Sequence, residues 1–294
     1  VTQPPQIFDR RLLRLRQARA LRLEALRAQR SGKICDFLIA RTADELAFRL
    51  SGVFRDFPRV LDFSAPHPGI SEVLVAPGRN VLRAGSIFPS ELIADEECLP
   101  FAPESFDLVV SALNLNFVND LPGALAQLRR TLAPDGLLLA ALIGGQTLRE
   151  LRICLAQAQE EIESGASPRV APFVDLRDLG GLLQRAGLAL PVVDADSFMV
   201  RYANALDLMH DLRFMGATNV LVAGARMPLR RDVVFRTAEL YRELFADADG
   251  RIRATFEIIW ASGWAPHESQ QKPLAPGSAT ARLSDVLGDK SSKS

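Results

Sequence analysis

The chain has 294 residues, 48% of them hydrophobic, with 35 basic and 35 acidic side chains. That content can build a sizeable core and excludes a disordered chain, and zero net charge does not favour generic nucleic-acid binding. The length admits two domains or one large α/β domain with insertions.

The charge is unevenly spread. Residues 1–33 carry nine arginines and lysines against Asp9 and Glu24, a balance of +7, which leaves −7 for the remainder. Cys35, Cys98 and Cys154 are scattered and form no CxxC pair. This argues against a disulfide scaffold or a structural zinc site and fits a reducing compartment. No apolar run reaches the ~18 residues of a membrane span. The arginine-rich start lacks an apolar h-region, so it does not read as a secretory signal. Asp9 and the leucine spacing suit a surface helix better than a transit-like peptide.

In chain order, residues 7–30 predict a basic helix and 36–52 a second helix striped by Phe37, Leu38, Ala43, Leu46 and Leu50. The basic helix reads as a solvated face, or as a docking face for an anionic membrane surface or an acidic partner. Strands are then expected at 59–63, 79–83, 91–94, 106–113, 136–143 and 190–201. Helices are expected at 70–76, 121–132, 147–164 and 175–186. Such alternation predicts a parallel sheet covered on both faces. Asn119 or Asp120 is placed to cap the helix that Pro122 opens, Pro134-Asp135-Gly136 marks a turn, and Thr147 is a candidate cap. Helices at 204–215 and 229–246 follow, then a strand at 252–264. The reading divides the chain into an N-terminal extension (1–52), an α/β domain (53–264) with a helical lid insertion at about 203–250, and a polar tail (265–294).

The stretch RVLDFSAPHPGISEVL, residues 59–74, places Asp62 at a strand end, then a loop, then a helix. In nucleotide-type cofactor sites glycines fill such a loop, because a Cβ would block the approaching ligand. Here Gly69 is the single glycine, and Pro66 and Pro68 each remove an amide donor, which makes a poor anion cradle. His67 reads as a loop residue or a base. His267 with Glu268 could do acid–base chemistry, recognise a partner or cap a helix. His67, His210 and His267 show no two-histidine-one-carboxylate spacing, so no metal site is assigned.

Further residues carry a resemblance. ADEECLPFAPESFDLVVSALNLNFVNDLPGALAQLRRTLAPDGLLLAALIGG, residues 94–145, resembles the middle of class I S-adenosylmethionine-dependent methyltransferases. IFDRRLLRLR, GGQTLRELR, DLRFMGATNVL and the WAPHESQ segment resemble one branch, the methyltransferase-fold assembly factors of respiratory complex I. The mitochondrial member of that branch hydroxylates an arginine of an iron–sulfur subunit. Malonyl-acyl-carrier-protein O-methyltransferases are a neighbouring branch.

The resemblance implies a Rossmann-like class I methyltransferase fold, a mostly parallel seven-stranded sheet with helices on both faces. It implies S-adenosylmethionine held by Asp62 and Gly69, by Asp95 near the adenine amine, and by Leu99 in the LPF turn. It also implies an iron–sulfur subunit as partner. The location is then the cytoplasm of a bacterium or the mitochondrial matrix, with contact to a membrane through the basic helix. The acid expected at the end of the second strand, which takes the ribose hydroxyls, has no counterpart except Glu91. Asn116 stands where relatives often carry His and, with His267, is the candidate for catalysis. Enzyme and non-catalytic binding protein both stay open.

Overall fold

The structure is a computed structural model that describes residues 5–31, 37–87, 90–223 and 228–271. Two helices come first, α1 (Arg10–Ser31) and α2 (Phe37–Ser51). The sheet then begins with β1 (Arg59–Asp62), α3 (Pro68–Leu74), β2 (Asn80–Gly85) and β3 (Leu92–Ile93). It continues with β4 (Phe106–Ala112), α4 (Leu121–Thr131), β5 (Leu132–Ile143), α5 (Arg149–Glu163), α6 (Leu176–Arg185) and β6 (Ala189–Tyr202). Two helices, α7 (Ala205–Phe214) and α8 (Arg231–Phe245), precede the last strand, β7 (Ile252–Trp264).

The seven strands lie in the order β3-β2-β1-β4-β5-β7-β6. β1 to β5 pair in parallel, and β7 runs antiparallel to both β5 and β6. β4 and the Leu137–Leu142 part of β5 are apolar and almost wholly buried, as expected of parallel strands with helices on both faces. One face packs on α2, α3, α5, α7 and α8 through Leu46, Ile70, Leu74, Leu155, Leu208 and Tyr241. The other packs on α4 and α6 through Leu125, Leu128, Leu179 and Leu183. β6 forms an edge, and arginines of α2 fasten it: Arg41 pairs with Asp196 at 2.7 Å and Arg49 with Asp194 at 2.5 Å. The Arg49 guanidinium also lies 4.8 Å from the Trp260 ring centre.

Two local expectations change. β5 begins at Leu132 rather than after the Pro-Asp-Gly turn, because Leu132 already pairs with Phe106 and the register shifts between Phe106 and Leu108. Asp135 takes φ 62° beside that irregularity. Thr147 does not cap α5. Its hydroxyl takes the Glu257 amide at 2.9 Å and donates to the Glu257 carbonyl at 3.1 Å, which ties the start of α5 to β7. Asp120 does cap α4, accepting the Gly123 amide at 2.8 Å.

Cys98 is exposed, and Cys154 is buried with its thiol pushed up to about 12 by burial, Glu150 adding to the effect. Cys35 and most of the tail lie outside the described residues. Among the described residues no helix is long and apolar enough to cross a membrane, and no group of His, Cys, Asp and Glu could hold a metal.

Candidate functional site

In a sheet of this order the chain reverses direction between β1 and β4, and ligands of such folds sit outside the carboxyl ends of those strands. Asp62 is the last residue of β1, Gly69 lies in the first turn of α3, Asp95 and Leu99 follow β3, and Asn116 follows β4.

Asp62 is 1% exposed. Its carboxylate accepts the Ser64 amide at 3.2 Å and the Ser71 hydroxyl, so it braces the loop against α3. Ser64 turns inward and accepts the Ala112 amide at 3.0 Å, which fixes the loop to the end of β4. His67 caps α3: its Nδ1 accepts the Gly69 amide at 3.1 Å, and its Nε2 lies 3.2 Å from Glu24 of α1. Because Nδ1 accepts, Nε2 is the nitrogen that carries the proton and donates to Glu24. A Cβ built on Gly69 would lie 3.2 Å from His67 Nδ1, so the space a glycine cradle leaves for a ligand is filled by the imidazole.

Asp95 begins an acidic run, Asp95-Glu96-Glu97, that α1 grips. Arg10 reaches Asp95 at 2.5 Å, Glu97 at 3.2 Å and the buried Glu96, and Arg14 reaches Asp95 at 2.6 Å. Burial pushes the Asp95 carboxyl up. The Glu97 amide, Arg10 and Arg14 outweigh that and hold it below its ordinary range. The sign of the pH effect follows. A carboxylate with a depressed native pKa contributes stability above its unfolded value of about 4 and loses it as pH falls through the lower native value. The melting-temperature gap between wild type and Arg14→Gln should therefore be constant from pH 7 to 5 and shrink toward pH 3. A gap that persists at pH 3 would contradict the pairing.

Leu99 is buried, and its amide donates to Gln127 Oε1 at 2.9 Å while Gln127 Nε2 donates to the Glu97 carbonyl. Asn116 uses both ends of its amide on backbone, accepting from Ile143 at 2.7 Å and donating to Leu113 at 2.9 Å, so it clamps the ends of β4 and β5. At the end of β2, Gly85 packs against Ser90 and offers no carboxylate, and Glu91 is exposed with its amide paired to Arg83.

His267 lies elsewhere. Its neighbours are Ser269, 2.7 Å from Nδ1, and the turn at Asp135, which accepts from Gln270 at 2.9 Å. The Asp135 and Gly136 backbone pairs with Ala265. That is the amino end of β5, roughly 25 Å along the strand from Ile143. The structure brings Asn116 beside Ala65 and His67 of the loop after β1, leaves Asp62 buried beneath that loop, and keeps His267 away from it.

Over the crevice lies the strap formed by the start of α1. Asn119 accepts the Ile7 and Phe8 amides at 2.8 Å. Asp9 and Val222 donate their amides to Val220 and Ile7, stitching the strap to the loop after α7. Gly216, at φ 72°, lets that loop approach α1, since a Cβ there would lie 3.4 Å from Ala20 and Gln17. Between the strap, this loop and the ends of β4 and β5 is a cavity of about 960 Å³. His67 and Asn116 lie on one wall and Arg16 and Arg213 on another. Its size is at the upper end for small-molecule sites. The roles of Arg10, Arg14, Arg16 and Asn119 are not evident from motifs. The sequence signals for the first pair were the four-residue spacing of Arg10 and Arg14 and the acidic triplet they meet.

These residues do not fit S-adenosylmethionine in the usual manner. The loop after β1 is closed by His67 and the Asp62 bonds, β2 ends without the acid expected for the ribose, and Asp95, expected near the adenine amine, is held by two arginines.

Comparison with known proteins follows the same outline. A methyltransferase-domain family model matches residues 74–140. The YcgJ protein of Bacillus subtilis has the same fold, with TM-score 0.51 at 14% identity over 78% of this chain and 99% of that one. Malonyl-[acyl-carrier protein] O-methyltransferase of Halorhodospira halophila is 36% identical over 184 residues, 63% of this chain and 60% of that protein. The mitochondrial arginine-hydroxylase NDUFAF5 is 38% identical in Danio rerio, over 85% of this chain and 82% of that protein. It is also 38% identical in Homo sapiens, over 95% and 83%. At 38% identity over 85–95% of this chain and more than four fifths of those proteins, the chain belongs to the family of the NDUFAF5 arginine hydroxylases.

Proposed function

We propose that this chain is an assembly factor for respiratory complex I and acts on an arginine of one of its iron–sulfur subunits. The observation that carries this reading is the extent of the similarity to the arginine hydroxylases, 38% identity over 85–95% of this chain. The match to the malonyl-acyl-carrier-protein enzyme covers less than two thirds of either chain. The closed loop after β1 also speaks against ordinary methyl transfer, since that reaction needs an accessible cradle for its donor. The fold by itself would license neither activity.

In this reading the insertion that carries α7 and α8 serves as a lid over the cavity. The outer face of α1 presents Arg11, Leu15, Arg19, Arg22 and Leu26, all exposed. This mixed basic and apolar stripe suits a peripheral contact with an anionic membrane, where complex I is assembled.

Deleting the gene tests the proposal. The expected result is loss of complex I activity and assembly, absence of the oxygen-atom mass increment on an arginine of the iron–sulfur subunit, and growth without added biotin. Normal complex I together with biotin auxotrophy would replace this reading with the acyl-carrier-protein one.

A further inference from the structure

Arginines of this protein characteristically face carboxylates: Arg41 faces Asp196, Arg49 Asp194, Arg59 Asp107 and Arg236 Glu161. The cavity wall departs from that pattern. Arg16 and Arg213 both line it, and among the described residues neither forms an ion pair with a carboxylate. The Arg16 guanidinium donates to the Asn219 carbonyl, which leaves most of its five N–H groups for other acceptors. Burial lowers its pKa, the Arg213 charge lowers it further, and Asp9 offsets part of the effect. Beside it the buried Gln17 Oε1 accepts no hydrogen bond among the described residues. That amide can present its NH₂ instead by turning over. The rest of the lining mixes apolar side chains, among them Leu12, Phe117, Phe173 and Leu212, with Asp9, Glu24, His67, Asn116 and Arg169. Of the two carboxylates in the lining, Asp9 accepts the Leu12 amide at the start of α1 and Glu24 meets His67 at 3.2 Å, so Arg16 and Arg213, unfavourable to each other where they are partly desolvated, retain room for a further anion.

We propose that this cavity binds an amphiphilic carboxylate, its anionic head between Arg16 and Arg213 and its apolar body along Phe117 and Leu212. Inorganic phosphate would satisfy the arginines but leave most of the 960 Å³ and its apolar walls unfilled. A neutral lipid would fill the walls and leave the cations unanswered. The site does not depend on the assembly role and can be assayed on the purified chain.

The probe is 8-anilinonaphthalene-1-sulfonate, followed by fluorescence and displaced by decanoate or by decanol. The uncharged dye N-phenyl-1-naphthylamine reports on the apolar chamber alone. Decanoate should displace the anionic dye about tenfold better than decanol, the worth of a charge-assisted hydrogen bond. Arg213→Gln, at an exposed position without an ion pair among the described residues, should weaken decanoate about tenfold and leave the uncharged dye unchanged. Arg16→Met should do the same. Arg19→Gln, on the outer face of α1, should have no effect. Equal displacement by decanoate and decanol, unchanged decanoate binding in Arg213→Gln, or an equal loss in Arg19→Gln would each overturn the proposal.

Discussion

Arg10→Met should destabilise the protein by about 3–5 kcal/mol, read as a lower urea midpoint at unchanged slope. Arg10 is 13% exposed and reaches three carboxylates, one of which, on Glu96, is 4% exposed. Removing the guanidinium strands that carboxylate in a dry setting, and the cost is mainly its lost solvation rather than a lost attraction. Two companion variants separate this cause from a packing defect. Arg10→Met with Glu96→Gln should recover much of the loss, because the uncharged amide no longer needs a cation. Arg14→Met should cost no more than about 1 kcal/mol, since Arg14 and Asp95 are 40% and 38% exposed and water screens them. If Arg10→Met fell within about 0.5 kcal/mol of wild type, the clasp would have no energetic role.

Tyr241→Ala should cost about as much, 3–5 kcal/mol, whereas Tyr241→Phe should cost about 1 kcal/mol. Tyr241 has no exposed surface and is the largest fully buried side chain among the described residues. It pegs α8 to β7: the phenol donates to the Arg253 carbonyl at 3.0 Å, and the ring meets Phe245 edge-on at 5.8 Å. Burial drives the phenol pKa upward, so it stays a donor throughout the working pH range. The alanine variant leaves a ring-sized void, while the phenylalanine variant leaves one unpaired carbonyl. Calorimetric melting of both variants checks this, and similar losses in the two would mean that the hydrogen bond rather than packing anchors the insertion.

The sheet was legible in the sequence because its signals are local. SFDLVVS and LLLAALI are apolar on both faces, and Asp120-Leu121-Pro122 is a complete helix start. The methyltransferase outline was legible for the same reason, since Asp62 ends β1, Gly69 opens α3 and Asp95 closely follows β3. What those residues do was not, because it depends on partners far away in the chain. Glu24 meets His67 across 43 positions and Arg10 meets Asp95 across 85. Periodicity showed the arginines of α1 as a basic helix. It could not show that Arg10 and Arg14 reach the acidic run at Asp95 while Arg11 and Arg19 face solvent. His267 looked like half of an acid–base pair in a motif, and the antiparallel pairing of β5 with β7 carries it to the far end of the sheet.

That antiparallel pairing has a practical consequence for handling the protein. The chain leaves its described body at Gln271, beside the Gln270–Asp135 contact and on the opposite side of the sheet from the cavity. A fluorescent reporter coupled at Gln271 would therefore sit at the end of the sheet away from the cavity. A reporter coupled at Ile7 would sit next to Asn119 and disturb the amide bonds that Ile7 and Phe8 donate to it.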